Sequence, residues 1–233
     1  MFSLLLLACE VPITQVNLVG SVQDAPFNAG APVVAATLEA RNRDGEVTGE
    51  AESGDSGEFK VAVDSGVSFF LTLAHPELVS TGFSGVAGVD DFDAGTGYPW
   101  MATPAWLEEL RVDHEACAGA ALEGGVVMGE VLAGVAEIDD LNQWPTLGGV
   151  QVQVLDHTGE LHDGCYFDDE GLSSADATGT GAAGMYAVFG VPAGAINVAV
   201  TVERSTGEEG TDVFEFILPE NGLVPILPTV VWL

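Results

Sequence analysis

Asp55-Ser56-Gly57-Glu58-Phe59-Lys60-Val61-Ala62-Val63 decides the fold. Its first three residues are turn formers. From Phe59 onward apolar side chains fall at every second position, the period of a strand that buries one face. A corresponding stretch comes later, where Gly184-Met185-Tyr186-Ala187-Val188 opens on a glycine at the position of Gly57. A second turn follows in each place, Ser65-Gly66 ahead of Phe69, Leu71 and Leu73, and Ala193-Gly194 ahead of Ile196, Val198, Val200 and Val202. Upstream, Gly20-Ser21-Val22 and Gly30-Ala31 align with Gly129-Glu130-Val131 and Gly148-Gly149. Turn chemistry repeated in the same order predicts two copies of one β unit.

Other segments extend the alternation: Val16 and Leu18, then Val150, Val152 and Val154, then Phe214, Phe216 and Leu218. With 30 glycines in 233 residues punctuating such segments, the chain reads as all-β. A hydrophobic share of 47% against 18% charged residues supplies real cores and excludes disorder. The 36 acidic and 5 basic residues leave a net charge of -31, which excludes a phosphate-tracking nucleic-acid binder. The apolar stretch from Leu223 to Leu233 is broken by Pro225 and Pro228 and is too short for a membrane helix, so it reads as a final strand.

Asp55-Ser56-Gly57-Glu58-Phe59 in the first copy and Val191-Pro192-Ala193-Gly194 in the second resemble the turns of carboxypeptidase regulatory-like domains, which have a transthyretin-like (prealbumin-like) sandwich. The resemblance implies two tandem transthyretin-like β-sandwiches, non-catalytic as this family mostly is. At the start of the chain, Leu6-Leu7-Ala8-Cys9 resembles the lipobox of bacterial lipoproteins. That resemblance implies cleavage before Cys9 and lipidation of Cys9, and hence a membrane anchor with a cell-envelope address, at the outer membrane or cell surface.

The expected organisation is a signal peptide over 1–8, a tether over 9–15, a first sandwich over 16–98, a helical linker over 99–124, and a second sandwich over 125–233 with an acidic insertion at 156–183. Within the linker Thr103 suits an N-cap, Pro104 the first helical position, and Gly119 a stop. Once Cys9 is set aside, Cys117 and Cys165 form an even pair, most simply a disulfide in an exported chain. The alternative, Cys165 as nucleophile or ligand, requires a base or metal partner.

Chemistry-bearing residues are sparse. Gly54-Asp55-Ser56-Gly57 has the letters of a serine-protease nucleophile loop, but all four histidines follow it, so it reads as a turn. Asp156-His157-Thr158-Gly159-Glu160-Leu161-His162-Asp163 gathers imidazoles and carboxylates around a hairpin turn, without the helical spacing of a zinc motif. Asp90, Asp91 and Asp93, with Asp168, Asp169 and Glu170, are loop carboxylates of the kind calcium accepts, though none has EF-hand spacing. They are equally the solvated loops of a very acidic protein, including one that works in saline surroundings. The expected function is a non-catalytic, lipid-anchored surface or periplasmic scaffold or adhesion module, whose partner is an envelope protein or a glycan. The alternative is a calcium- or carbohydrate-binding sandwich that uses the acidic loops and Tyr98, Trp100 or Tyr166 as platforms.

Overall fold

Each alternating segment forms a strand. The computed structural model describes residues 14–25, 30–94, 99–114, 124–133, 145–168, 173–174, 177–203, 209–225 and 229–231. In the first copy these are β1 (Gln15–Ser21), β2 (Thr37–Asn42), β3 (Val47–Glu52), β4 (Glu58–Asp64), β5 (Ser68–Ala74), β6 (Thr81–Val86) and β7 (Phe92–Asp93). Helix α1 (Pro104–Asp113) follows. The second copy contains β8 (Gly125–Ala133), β9 (Gln151–Leu155), β10 (Leu161–Asp163), β11 (Cys165–Phe167), β12 (Ser173–Ser174), β13 (Met185–Val191), β14 (Gly194–Glu203), β15 (Glu209–Leu218), β16 (Leu223–Pro225) and β17 (Thr229–Val231).

The copies share one wiring plan. In the first, the sheet β4-β1-β7 faces the run β3-β2-β5-β6; in the second, β13-β8 with β16 and β17 faces β10-β9-β14-β15. The last strand of each copy lies parallel to its first: Phe92 pairs with Leu18, and Val224 with Val127. The predicted final strand is therefore two short pieces, β16 and β17, both parallel to β8. Between the sheets of the first copy lie Val16, Leu18, Leu38, Phe59, Val61, Val63, Phe69, Leu71, Leu73 and Phe83. The second core packs Val127, Val131, Tyr186 and Val188 against Val150, Val152, Val154, Ile196, Val198, Val200, Phe216 and Leu218. Apart from Leu38, Phe83, Val127 and Val131, these are residues that the period of two, or correspondence between the copies, assigns to buried faces.

The two sandwiches are fused. β16 pairs with β8 on one edge and with β6 of the first copy on the other, Leu223 opposite Thr81, so one ten-stranded sheet runs through both. The Leu223 amide donates to the Ser80 carbonyl at 2.9 Å, and Val126 donates to Gly222 at 3.0 Å. Beside this seam β15 crosses β6 so closely that a Cβ on Gly82 would lie 2.2 Å from the Ile217 carbonyl oxygen. Ser84 Oγ donates to the Glu215 carbonyl at 2.7 Å, and Arg43 holds the Glu215 carboxylate at 2.8 Å on the surface.

Helix α1 is capped as the sequence predicts, Thr103 accepting from the Trp106 amide at 3.1 Å with Pro104 at the first helical position. It ends at Asp113 with His114 as its cap, before Gly119, which lies outside the described residues. Instead of spacing two free sandwiches, the helix covers the outer face of β8 and β13. Leu107, Trp106 and Leu110 meet Val126, Met128, Ala187 and Phe189 there, with Trp100 edge-on to Trp106. The corresponding face of the first copy bears Asn17, Ser21, Glu58 and Lys60, and none of these four is buried.

Backbone detail confirms the duplication. Val22 donates to Gly57 and Val131 to Gly184; Val33 donates to Val22 and Leu147 to Val131, all near 3 Å. Ser53 Oγ accepts from Ala36 and donates to Val33, as Thr180 Oγ1 accepts from Val150 and donates to Leu147. These bonds correct one sequence alignment: Gly149, with φ of 77°, matches Ala35, with φ of 60°, and not Ala31. Gly57 and Gly184 are required twice over. Both have positive φ, and a Cβ would lie 2.4 Å from the Val22 oxygen or 2.6 Å from that of Val131. Gly45 shares the positive φ but has open space around it. Gly45→Ala should therefore cost only left-handed strain, about 1–2 kcal/mol, whereas Gly57→Ala and Gly184→Ala add a backbone overlap. Urea unfolding should place both midpoints below that of Gly45→Ala, and equal midpoints would refute the close approach.

Candidate functional site

The hairpin that joins β9 to β10 contains the one group of three metal-ligating side chains among the described residues: Asp156, Glu160 and His162, whose ligand atoms lie within 4.8 Å of one another. Local sequence builds it. Gly159, with φ of 87°, closes the turn by donating to the Asp156 carbonyl at 3.1 Å, and the Asp156 amide donates to Glu160 at 3.0 Å. Asp156 Oδ1 accepts from the Thr158 amide at 2.8 Å, from Thr158 Oγ1 at 2.7 Å and from the Glu160 amide at 3.0 Å. Its Oδ2 faces His162 Nε2 at 3.0 Å. Asp156 is buried, and the His162 hydrogen bond, with those from Thr158 and Glu160, holds its carboxyl far below the usual carboxylate range.

The first copy contains the same turn. Asn42 Oδ1 accepts from the Asp44 and Glu46 amides at 3.1 and 3.0 Å, Asn42 donates to the Glu46 carbonyl, and Gly45 donates to Asn42. The segment expected to be an insertion from 156 thus begins as the counterpart of residues 42–48. The additional chain starts past Asp163, where the strand leaves β9 and Cys165–Phe167 joins the outer edge of β13. His157, which the sequence set beside His162, lies against Gly194 instead.

The expected calcium ligands occupy separate places. Asp91 accepts from the Asn17 amide at 2.7 Å and from Asn17 Nδ2 at 2.9 Å through each oxygen, which ties the β6–β7 loop to β1 and lowers its carboxyl pKa. Asp93 lies in β7 opposite Val19, Asp90 is exposed, and Asp168 follows β11 in the other copy. Asp169 and Glu170 lie outside the described residues. Two of the three expected aromatic platforms are buried. Trp100 is buried under the helix, and Tyr166 is buried with its hydroxyl accepting from the Val152 amide at 2.8 Å and donating to the Val152 carbonyl at 3.2 Å. Tyr98 lies outside the described residues. Ser56 belongs to a turn, where its amide and hydroxyl donate to the Glu58 carboxylate. Cys165 is buried and its thiol is not free; Cys117, like Cys9, is outside the described residues. No helix among the described residues is long and apolar enough to cross a membrane.

No family model matches the chain, and no curated protein matches it. Among solved structures it is similar to the TIE protein of Bacillus anthracis, with TM-score 0.30 and 11% identity, covering 93% of this chain and 34% of that one. It is also similar to the shaft pilin SpaA of Lactobacillus rhamnosus GG, with TM-score 0.29, 10% identity and coverage of 92% and 97%. A minor pilin of Streptococcus agalactiae scores 0.28 at 12% identity, with coverage of 91% and 94%. The chain thus spans about a third of the length of the Bacillus anthracis protein. At these scores the all-β assignment rests on the chain's own strand pairing.

Asp156→Asn keeps the Oδ1 acceptor, as Asn42 does, so it should destabilise less than Asp156→Ala, which strands the Thr158 and Glu160 amides. Because the folded pKa lies below the unfolded value of about 3.9, the carboxylate contributes fully above that pH. The contribution fades as pH falls through the lower folded value. Thermal melts should show wild type and Asp156→Asn furthest apart at neutral pH and converging below about pH 4; a gap that widens in acid would contradict this.

Proposed function

We propose that the chain is a non-catalytic scaffold or adhesion module of the cell envelope, anchored by lipid at Cys9 and stapled by a Cys117–Cys165 disulfide between the region following α1 and β11. The observation that carries this reading is the ten-stranded sheet through both copies, which makes two sandwiches one stiff body. The Ser56 turn, the Asp91 tie to Asn17 and the paired Ser53 and Thr180 bonds each hold loops in place. An acidic surface remains, hydrated and self-repelling at a charge of -31, and salt relieves its repulsion. The transthyretin-like family is part of the same proposal and rests on the turn motifs.

Two measurements test this. Cys9→Ser should move the protein from the membrane to the soluble fraction; unchanged partition would remove the anchor. Thermal unfolding of a form beginning after Cys9 should rise equally in calcium and in sodium chloride of matched ionic strength. A saturable calcium-specific rise, about 2.7 kcal/mol at a hundredfold excess over Kd, would replace the scaffold with a calcium-binding module.

A further inference from the structure

We infer that Asp156, Glu160 and His162 form a binding site for a first-row divalent transition ion such as zinc. The distances suit it. Ligands about 2.0–2.2 Å from one ion stand roughly 3 Å apart in adjacent coordination positions, and Asp156 Oδ2 and His162 Nε2 are 3.0 Å apart. Glu160 is exposed and its carboxylate lies within 4.8 Å of both, so rotation of its side chain brings in a third ligand while water fills the rest. An imidazole with two carboxylates favours zinc, cobalt or nickel over calcium, which takes oxygen alone.

The duplication supplies the independent argument. The first copy closes the same turn with Asn42, Gly45 and Glu46, and carries Thr48 where the second carries His162. A carboxylate at position 156 and an imidazole at position 162 are therefore not needed to make the turn, whereas Glu160 has a counterpart in Glu46, whose carboxylate accepts from Asn42 Nδ2 at 3.2 Å. In the second copy three donors fix Oδ1, leaving Oδ2 aimed at the imidazole with its orientation already set. Such outer contacts orient metal ligands elsewhere in proteins. The Asp156 side chain is fully shielded and that of His162 is 15% exposed, while Glu160 opens to solvent, which gives the ion a path in. On binding, the ion takes the place of the hydrogen bond between Asp156 Oδ2 and His162 Nε2, with the imidazole as the neutral tautomer protonated at Nδ1.

The test is calorimetric titration of the full chain with zinc chloride, over a background of magnesium that occupies the nonspecific carboxylates. One saturable site per chain is expected. Asp156→Asn, which retains the Asn42-type turn, and His162→Gln should each weaken that site at least about tenfold. Glu46→Gln, in the matching turn of the first copy, should leave it unchanged. Zinc binding of wild-type strength in both site variants, or no saturable event above the magnesium background, would overturn the assignment. Circular dichroism of each variant separates loss of the site from loss of the fold.

Discussion

The molecule depends on β8 being paired along both edges. β13 holds one side antiparallel, β16 and β17 hold the other in parallel, and each face of β8 is covered by a different layer, the second sandwich on one side and helix α1 on the other. Val127 and Val131 enter the second sandwich, and Val126 and Met128 meet helix α1. A strand buried on both faces reads as an unbroken apolar run, and Val126-Val127-Met128 has that form. Its counterpart β1 alternates, because only one of its faces is covered. The helix layer that makes this difference also buries Trp100, while β16 on the edge of β8 continues the sheet into the first copy.

Duplication also separates what the fold requires from what one copy added. Bonds present in both copies, such as those of Ser53 and Thr180 or the turns at Asn42 and Asp156, are explained by shape alone. Features of one copy need another cause. The helix-covered face has a packing cause, whereas the pairing of Asp156 with His162 has none that the first copy shares.

Much of this was legible in the residues. The period of two named the core, and Gly57 and Gly184 marked the repeat, because positive φ and a carbonyl at close range leave little alternative. Alignment slipped at Gly30-Ala31 because Ala35 holds a left-handed backbone where the second copy has Gly149, so the matching signal was not a glycine. The seam was illegible: β16 is three residues long and its pairing with Thr81 depends on tertiary position. The Asp156–His162 contact was missed for a related reason. Sequence spacing drew attention to the two histidines, while hairpin register set the carboxylate, and not His157, beside His162.

The contact of Gly82 with β15 bears on how such a chain can change over evolutionary time. Where two repeats are merely linked, each can be exchanged, lost or reshuffled by recombination at the linker. Here the Ile217 carbonyl of one repeat occupies the space that any side chain at position 82 of the other would need. A breakpoint in the connecting segment would part residues that meet across the seam, and the hybrid would inherit a seam matched on one side only. The two halves should therefore descend as a single heritable unit, diverging from each other while remaining bound to the same lineage.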